Sequence, residues 1–230
     1  MIGGFIGNYS LRHPFLLSAL AALLASGAVL GMKEVETAES EVRFFRAVSR
    51  LMRNRASLLL CVAGFLAELG YASFSITIPL TGNRLGLSPS QIGTVLSSYS
   101  LSFALLQVPV GVYAERAGKR RLVVNASFLS ALLFLGLYMA RGFLPMILLM
   151  ALLGITLGAI FIQSTALAAE VVAEEARTMH LAFFDAVIDL SFIVMPLIVG
   201  FAAGFGESLP FLVCALFLAG AGMLFRLKRI

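Results

Sequence analysis

Apolar residues in this chain neither alternate nor form narrow stripes. They run on continuously for about 20 residues, as the membrane-thickness rule requires, and short clusters of charge then interrupt them. Seven such runs stand out: Pro14–Met32, Ala56–Leu80, Gln91–Ala114, Leu122–Ala140, Gly142–Ala169, Leu181–Phe205 and Leu209–Phe225. A hydrocarbon core of ~30 Å takes ~20 helical residues at ~1.5 Å each, so every run predicts a transmembrane helix. Membrane strands would alternate apolar and polar positions, and lipid cannot satisfy an open backbone. The pattern therefore predicts an all-α, polytopic helix bundle with seven transmembrane helices.

Charge sharpens this picture. Of 17 basic and 12 acidic residues, only Glu68, Asp185 and Asp189 fall inside the runs. Fourteen of the 17 Lys and Arg lie on one side: in Lys33–Arg55, in Glu115–Arg121, at Arg177 and in Arg226–Arg229. Arg12, Arg84 and Arg141 lie on the other. Cytoplasmic connectors carry the basic excess, which predicts a cytoplasmic C-terminus and an N-terminus outside. The chain divides into an outer segment with the first helix (1–32), a charged linker (33–55) and a six-helix unit (56–230). In the linker, Glu39–Arg55 places Val42, Phe45, Val48, Leu51 and Met52 at helical spacing, with Arg43, Arg46, Arg50 and Arg53 between them. That reads as a basic amphipathic helix lying on an anionic lipid surface.

Composition excludes other classes. Hydrophobic residues make up 60% of the 230 and charged residues 13%, with a mean hydropathy of +0.99. Soluble domains carry roughly twice that charge, and disordered chains are poor in apolar residues. The formal charge of +5 follows the membrane sides and gives no reason to expect nucleic acid. Cys61 and Cys214 lie far apart in apolar runs and read as small core residues. His13 and His180 have no second ligand at metal spacing. No nucleophile–base pair, P-loop or dinucleotide fingerprint occurs, so neither a cofactor nor an enzymatic activity is expected.

The most specific segment is Gly111-Val112-Tyr113-Ala114-Glu115-Arg116-Ala117-Gly118-Lys119-Arg120-Arg121. It reads as a tight cytoplasmic turn. Gly111 would let a helix end approach a neighbour, and Gly118 permits a positive φ. Glu115 at a helix end can meet a neighbouring helix N-terminus. The segment resembles the loop signature of the major facilitator superfamily of secondary transporters, with Tyr113, Glu115 and Lys119 in place of Leu, Asp and Arg. Charge and spacing survive these changes, although a lysine cannot reproduce bidentate arginine geometry. Leu85–Gly93 is similar to the family's outer loop into its next helix. It is also a physical helix start, with Ser88 as N-cap, Pro89 at N1 and Gln91 at N3.

The resemblance implies more. Glu170 matches the acid that the family places near the basic end of its signature loop, so Lys119 and Glu170 form a candidate inner-gate pair. Arg116, Arg120 and Arg177 belong to the same implied cytoplasmic gate. One helix, a long charged loop and six further helices match the family's span 6, central loop and spans 7–12. By that register spans 1–5 are absent, and the implied partner is a separate N-terminal half or a second copy. The implied function is secondary transport of a small solute by alternating access, with protons as a candidate coupling ion.

The intramembrane acids are the candidate chemistry. A charge at the bilayer centre costs at least ~2.5–3.5 kcal/mol on insertion scales, so such groups face a cavity or a partner. Glu68 lies close to mid-depth. Asp185 and Asp189 share a helix face at i, i+4, with Asp189 the deeper. A carboxyl that ionises only when water reaches it is a natural proton carrier. Gln107, Gln163 and Tyr71 either line a solute path or bond between helices. Gly154 and Gly158 read as a close-packing G-x-x-x-G face. The rival reading is a non-transporting membrane subunit, in which the same acids serve stability alone.

Overall fold

The computed structural model describes residues 12–29, 54–206 and 208–227. Within them the chain forms α1 (His13–Val29), α2 (Arg55–Arg84), α3 (Pro89–Ala117), α4 (Lys119–Met139), α5 (Phe143–Glu170), α6 (Arg177–Asp189), α7 (Ser191–Phe205) and α8 (Leu209–Leu227). The 33–53 part of the linker, with its amphipathic pattern, lies outside the described residues. So do residues 1–11 of the outer segment.

Six helical stretches are long and apolar enough to cross a membrane: α2, α3, α4, α5, α8 and the joined α6–α7 stretch Arg177–Phe205. The first predicted run is also helical, but α1 has only 17 residues. The part of this run beyond Val29 lies outside the described residues. Every side chain from Phe15 to Gly27 is exposed.

Local signals set the helix ends. Asn54 caps α2, its Oδ1 accepting from Ala56 N at 3.0 Å. Ser88 and Gln91 form a capping box at α3, Ser88 N donating to Gln91 Oε1 at 2.8 Å and Gln91 N to Ser88 Oγ at 3.3 Å. That arrangement satisfies two backbone donors that the helix leaves open. Between α3 and α4 the turn shrinks to Gly118 alone, at φ 88°, a backbone conformation that favours glycine.

Helix α2 is the hub of the bundle and packs against α8, α7, α5, α6 and α3. Its small residues allow the approach. A Cβ on Gly64 would lie 2.8 Å from the Phe184 ring, and one on Gly70 would lie 3.0 Å from Leu218. Helix α5 carries the other seam. A Cβ on Gly154 would strike the Tyr99 carbonyl oxygen, and one on Gly158 would lie 2.8 Å from the Phe103 ring. Close backbone approach of this kind replaces the hydrophobic drive that is missing between helices in lipid.

One expectation needs correction here. Gly111 lies inside α3 rather than at its end, and a Cβ there meets no described atom within 4 Å. Helix α3 continues to Ala117 because nothing between Gly111 and Gly118 breaks it. The close-packing face expected of Gly154 and Gly158 is present.

The predicted run Leu181–Phe205 is also modified. Its helix begins earlier, at Arg177, and is interrupted at Leu190. Leu190 itself keeps helical dihedrals, φ −56° and ψ −22°, so the two helices run on as one stretch. Asp189 sits at this interruption.

Candidate functional site

A cavity of about 360 Å³ opens between α2, α3, α5 and the α6–α7 break. Helix α2 contributes Glu68 and Tyr71 to it, α3 contributes Tyr99, Ser100 and Phe103, α5 contributes Phe161 and Ser164, and α6 contributes Asp189. Glu68 is the fourteenth of 30 residues in α2. Asp189 is the thirteenth of 29 in the Arg177–Phe205 stretch. Both carboxyls therefore stand near mid-depth. Glu68 is half-buried and Asp189 exposed. Neither has a hydrogen bond or ion pair among the described residues.

Aromatic rings join the helices around these acids. Tyr71 meets Tyr99 at 5.5 Å between centroids and Phe192 at 5.7 Å. Tyr99 stacks on Phe103 at 6.0 Å, and Phe103 meets Phe161 at 6.5 Å. Such pairs hold the wall rigid as well as apolar. Ser164 Oγ is turned back onto its own helix, donating to Phe161 O at 3.1 Å.

The structure thus brings Glu68, Tyr71 and Asp189 together in one cavity. It separates the other candidates from them. Asp185 is exposed one turn away on α6 and does not line the cavity. Gln107 sits in the α3–α5 seam beside Gly154 and Gly158. Gln163 is buried in α5 and is not part of the cavity wall. Sequence reasoning missed Tyr99, Ser100, Phe103, Phe161 and Ser164. The i, i+4 spacing of Tyr99 and Phe103 was the available signal, since it puts both rings on one helix face.

A second cluster lies at the bundle end that carries the basic residues. Lys119 Nζ donates to Glu170 Oε1, tying the start of α4 to the end of α5. Arg120 Nε donates to Phe225 O at 2.7 Å, and its NH2 group donates to Arg226 O at 3.1 Å, closing the end of α8. Arg177 Nε donates to Ala169 O at 3.2 Å. Cations at helix C-termini meet unpaired carbonyls and the negative end of the helix dipole. Glu115 and Arg116 are exposed in the last turn of α3. Nearby, His180 is fully buried, its Nδ1 3.3 Å from Ser57 Oγ. It lies in the first turn of α6. Among the described residues no group of three or more His, Cys, Asp or Glu could hold a metal ion.

Comparison with known proteins agrees with this architecture. The family model described as "Major Facilitator Superfamily" matches residues 60–229. A probable sulfoacetate transporter of Cupriavidus necator is 26% identical over 107 residues, which is 46% of this chain and 25% of that protein. A quinolone resistance protein of Staphylococcus aureus is 24% identical over 158 residues, which is 69% of this chain and 41% of that protein. The matched stretch therefore spans less than half the length of either relative.

Proposed function

Because this multi-pass membrane chain belongs to the major facilitator superfamily, we propose that its six-helix unit forms one wall of a path for a small organic solute. In that family the solute sits between two six-helix halves that rock about a central site. The observation that carries this reading is the pair Glu68 and Asp189. Two acids stand at mid-depth in one cavity, with no hydrogen bond to either among the described residues. Acids held in lipid for stability alone would find partners.

The remaining assignments follow from that premise. Residues 56–230 act as the transporter half, and residues 33–55 as the cytoplasmic linker that follows the first helix. A second six-helix half covers the exposed side of the cavity. The ion pair Lys119–Glu170, with Arg120 and Arg177 on neighbouring helix ends, acts as the cytoplasmic latch. Glu115 and Arg116 stand at the same end. The excess of Lys and Arg supports that end as cytoplasmic, with the N-terminus outside. Glu68 is the proton carrier that couples solute movement to a proton gradient. No chemical conversion of the solute is part of this reading. The name of the Cupriavidus necator relative, a probable sulfoacetate transporter, supports transport of a small organic molecule.

Proton flux in proteoliposomes tests the proposal. The chain is reconstituted together with the second six-helix half, and a solute gradient is imposed. Solute-driven proton movement should occur with the native chain and fall at least tenfold with Glu68→Gln. Flux that is unchanged by Glu68→Gln would remove the acid from coupling. Absence of flux, with a purely structural effect of the substitution, would favour a membrane scaffold.

A further inference from the structure

We infer that the solute is an organic cation bearing aromatic or other bulky apolar groups, recognised by Glu68 and Asp189 against the ring wall of Tyr71, Tyr99 and Phe103. This rests on the transport reading above and adds the sign of the solute's charge.

Charge decides it first. The ionisable groups lining the cavity are the two carboxyls and two tyrosines, and no Lys, Arg or His is among them. The described Lys and Arg residues lie at helix ends or in connectors: Arg12, Arg55, Arg84, Arg116, Lys119, Arg120, Arg121, Arg141, Arg177 and Arg226. A carboxylate or sulfonate solute would meet only acidic ionisable groups and tyrosines on this wall at mid-depth. A cation would meet two carboxyls that have no other partner among the described residues, in surroundings where attraction is weakly screened.

The wall supplies a second, independent argument. Four rings line the cavity, and ring faces carry partial negative charge that attracts a cation lodged between them. A neutral polyol would need many fixed hydrogen-bonding groups, yet Ser164 is already engaged with Phe161 O and the rest of the wall is largely apolar. The volume of about 360 Å³ is within the usual range of small-molecule sites.

Tetraphenylphosphonium and tetraphenylborate have nearly the same size and shape and opposite charge, so they isolate this variable. Binding of each to the full chain in nanodiscs is measured by equilibrium dialysis, with partition into empty nanodiscs subtracted. The phosphonium should bind at least tenfold more tightly than the borate. The double variant Glu68→Gln/Asp189→Asn should abolish that preference, and Tyr71→Leu should weaken phosphonium binding several-fold. If the double variant does not fold, the native chain still gives a reading. Phosphonium should slow carbodiimide labelling of Glu68, followed by mass spectrometry, and borate should not.

Equal or tighter borate binding would overturn the inference. So would phosphonium binding that ignores both carboxyls, or no binding of either probe. Flux assays keep the two readings apart. Carriage of an anion or sugar would refute the cation assignment and leave transport standing. Phosphonium binding without carriage would refute transport and leave recognition standing.

Discussion

Between α4 and α5, Ser130 Oγ donates to Thr156 Oγ1 at 2.7 Å, and both side chains are buried. Thr156 passes the bond on to Leu153 O, and Ser127 on the next turn donates to Val123 O at 2.8 Å. Around the cavity, at similar depth, Glu68 and Asp189 have no such bonds among the described residues. The first region uses short hydroxyls, which can turn back onto a helix carbonyl. The second holds carboxyls, which carry charge and are far more costly to keep dry. A membrane bundle can hide a hydroxyl for the sake of packing. It has no packing reason to leave two acids open to one cavity, and this contrast separates glue from chemistry.

The largest expected effect would break the packing side of the contrast. Gly154→Val drives a side chain into the Tyr99 backbone across the α3–α5 seam. Overpacking of this kind costs up to about 3 kcal/mol. The detergent-solubilised variant should lose its cooperative melting or its monodispersity. A native-like melt would mean that α3 is not held where the cavity needs it.

Next comes the cavity itself. Glu68→Gln should lower solute-driven proton flux at least tenfold, or about 1.4 kcal/mol in the transition state, with melting unchanged or improved. A large fall in melting would place Glu68 with the structural hydroxyls and erase the contrast. Ser130→Ala should behave in the opposite sense. It removes an interhelical bond worth about 0.6 kcal/mol, at most about 1.7. Its melting should fall slightly while flux stays native, and lost flux at native melting would move Ser130 to the functional side.

Much of this architecture is legible in the sequence because lipid demands long uninterrupted apolar runs. The ends are less so. The run Ala56–Leu80 extends to Arg55–Arg84, since polar residues continue a helix once it leaves the hydrocarbon. The interruption at Leu190 leaves no mark in the pattern; the visible breaker, Pro196, comes six residues later and lies inside α7. Depth could be read for every polar residue in a run, but direction could not. Gln107 and Phe103 share one helix at i, i+4, yet Phe103 lines the cavity and Gln107 does not. Which side faces the cavity depends on how α3 rolls against Gly154 and Gly158, a three-dimensional fact that a single helix does not record. The charged turn is the exception. Its chemistry is written in adjacent residues, and only the position of its close-packing glycine was misread.

The smallest effect concerns that turn. Lys119 and Glu170 are partly exposed, and ion pairs in water typically contribute about 0.2–1 kcal/mol. Either Lys119→Glu or Glu170→Lys alone should therefore barely move the melting temperature. A latch, however, is measured by the balance between two states, and even ~1 kcal/mol shifts that balance about fivefold. Each single reversal should raise the fraction of molecules with an open cytoplasmic end, read as faster alkylation of a cysteine placed at Ser164 inside the cavity. The double reversal restores opposite charges and should return labelling to the native rate, which isolates the pair from its surroundings. If the single changes leave labelling untouched, the pair is surface decoration, and the contrast between glue and chemistry would then apply to the mid-depth acids alone.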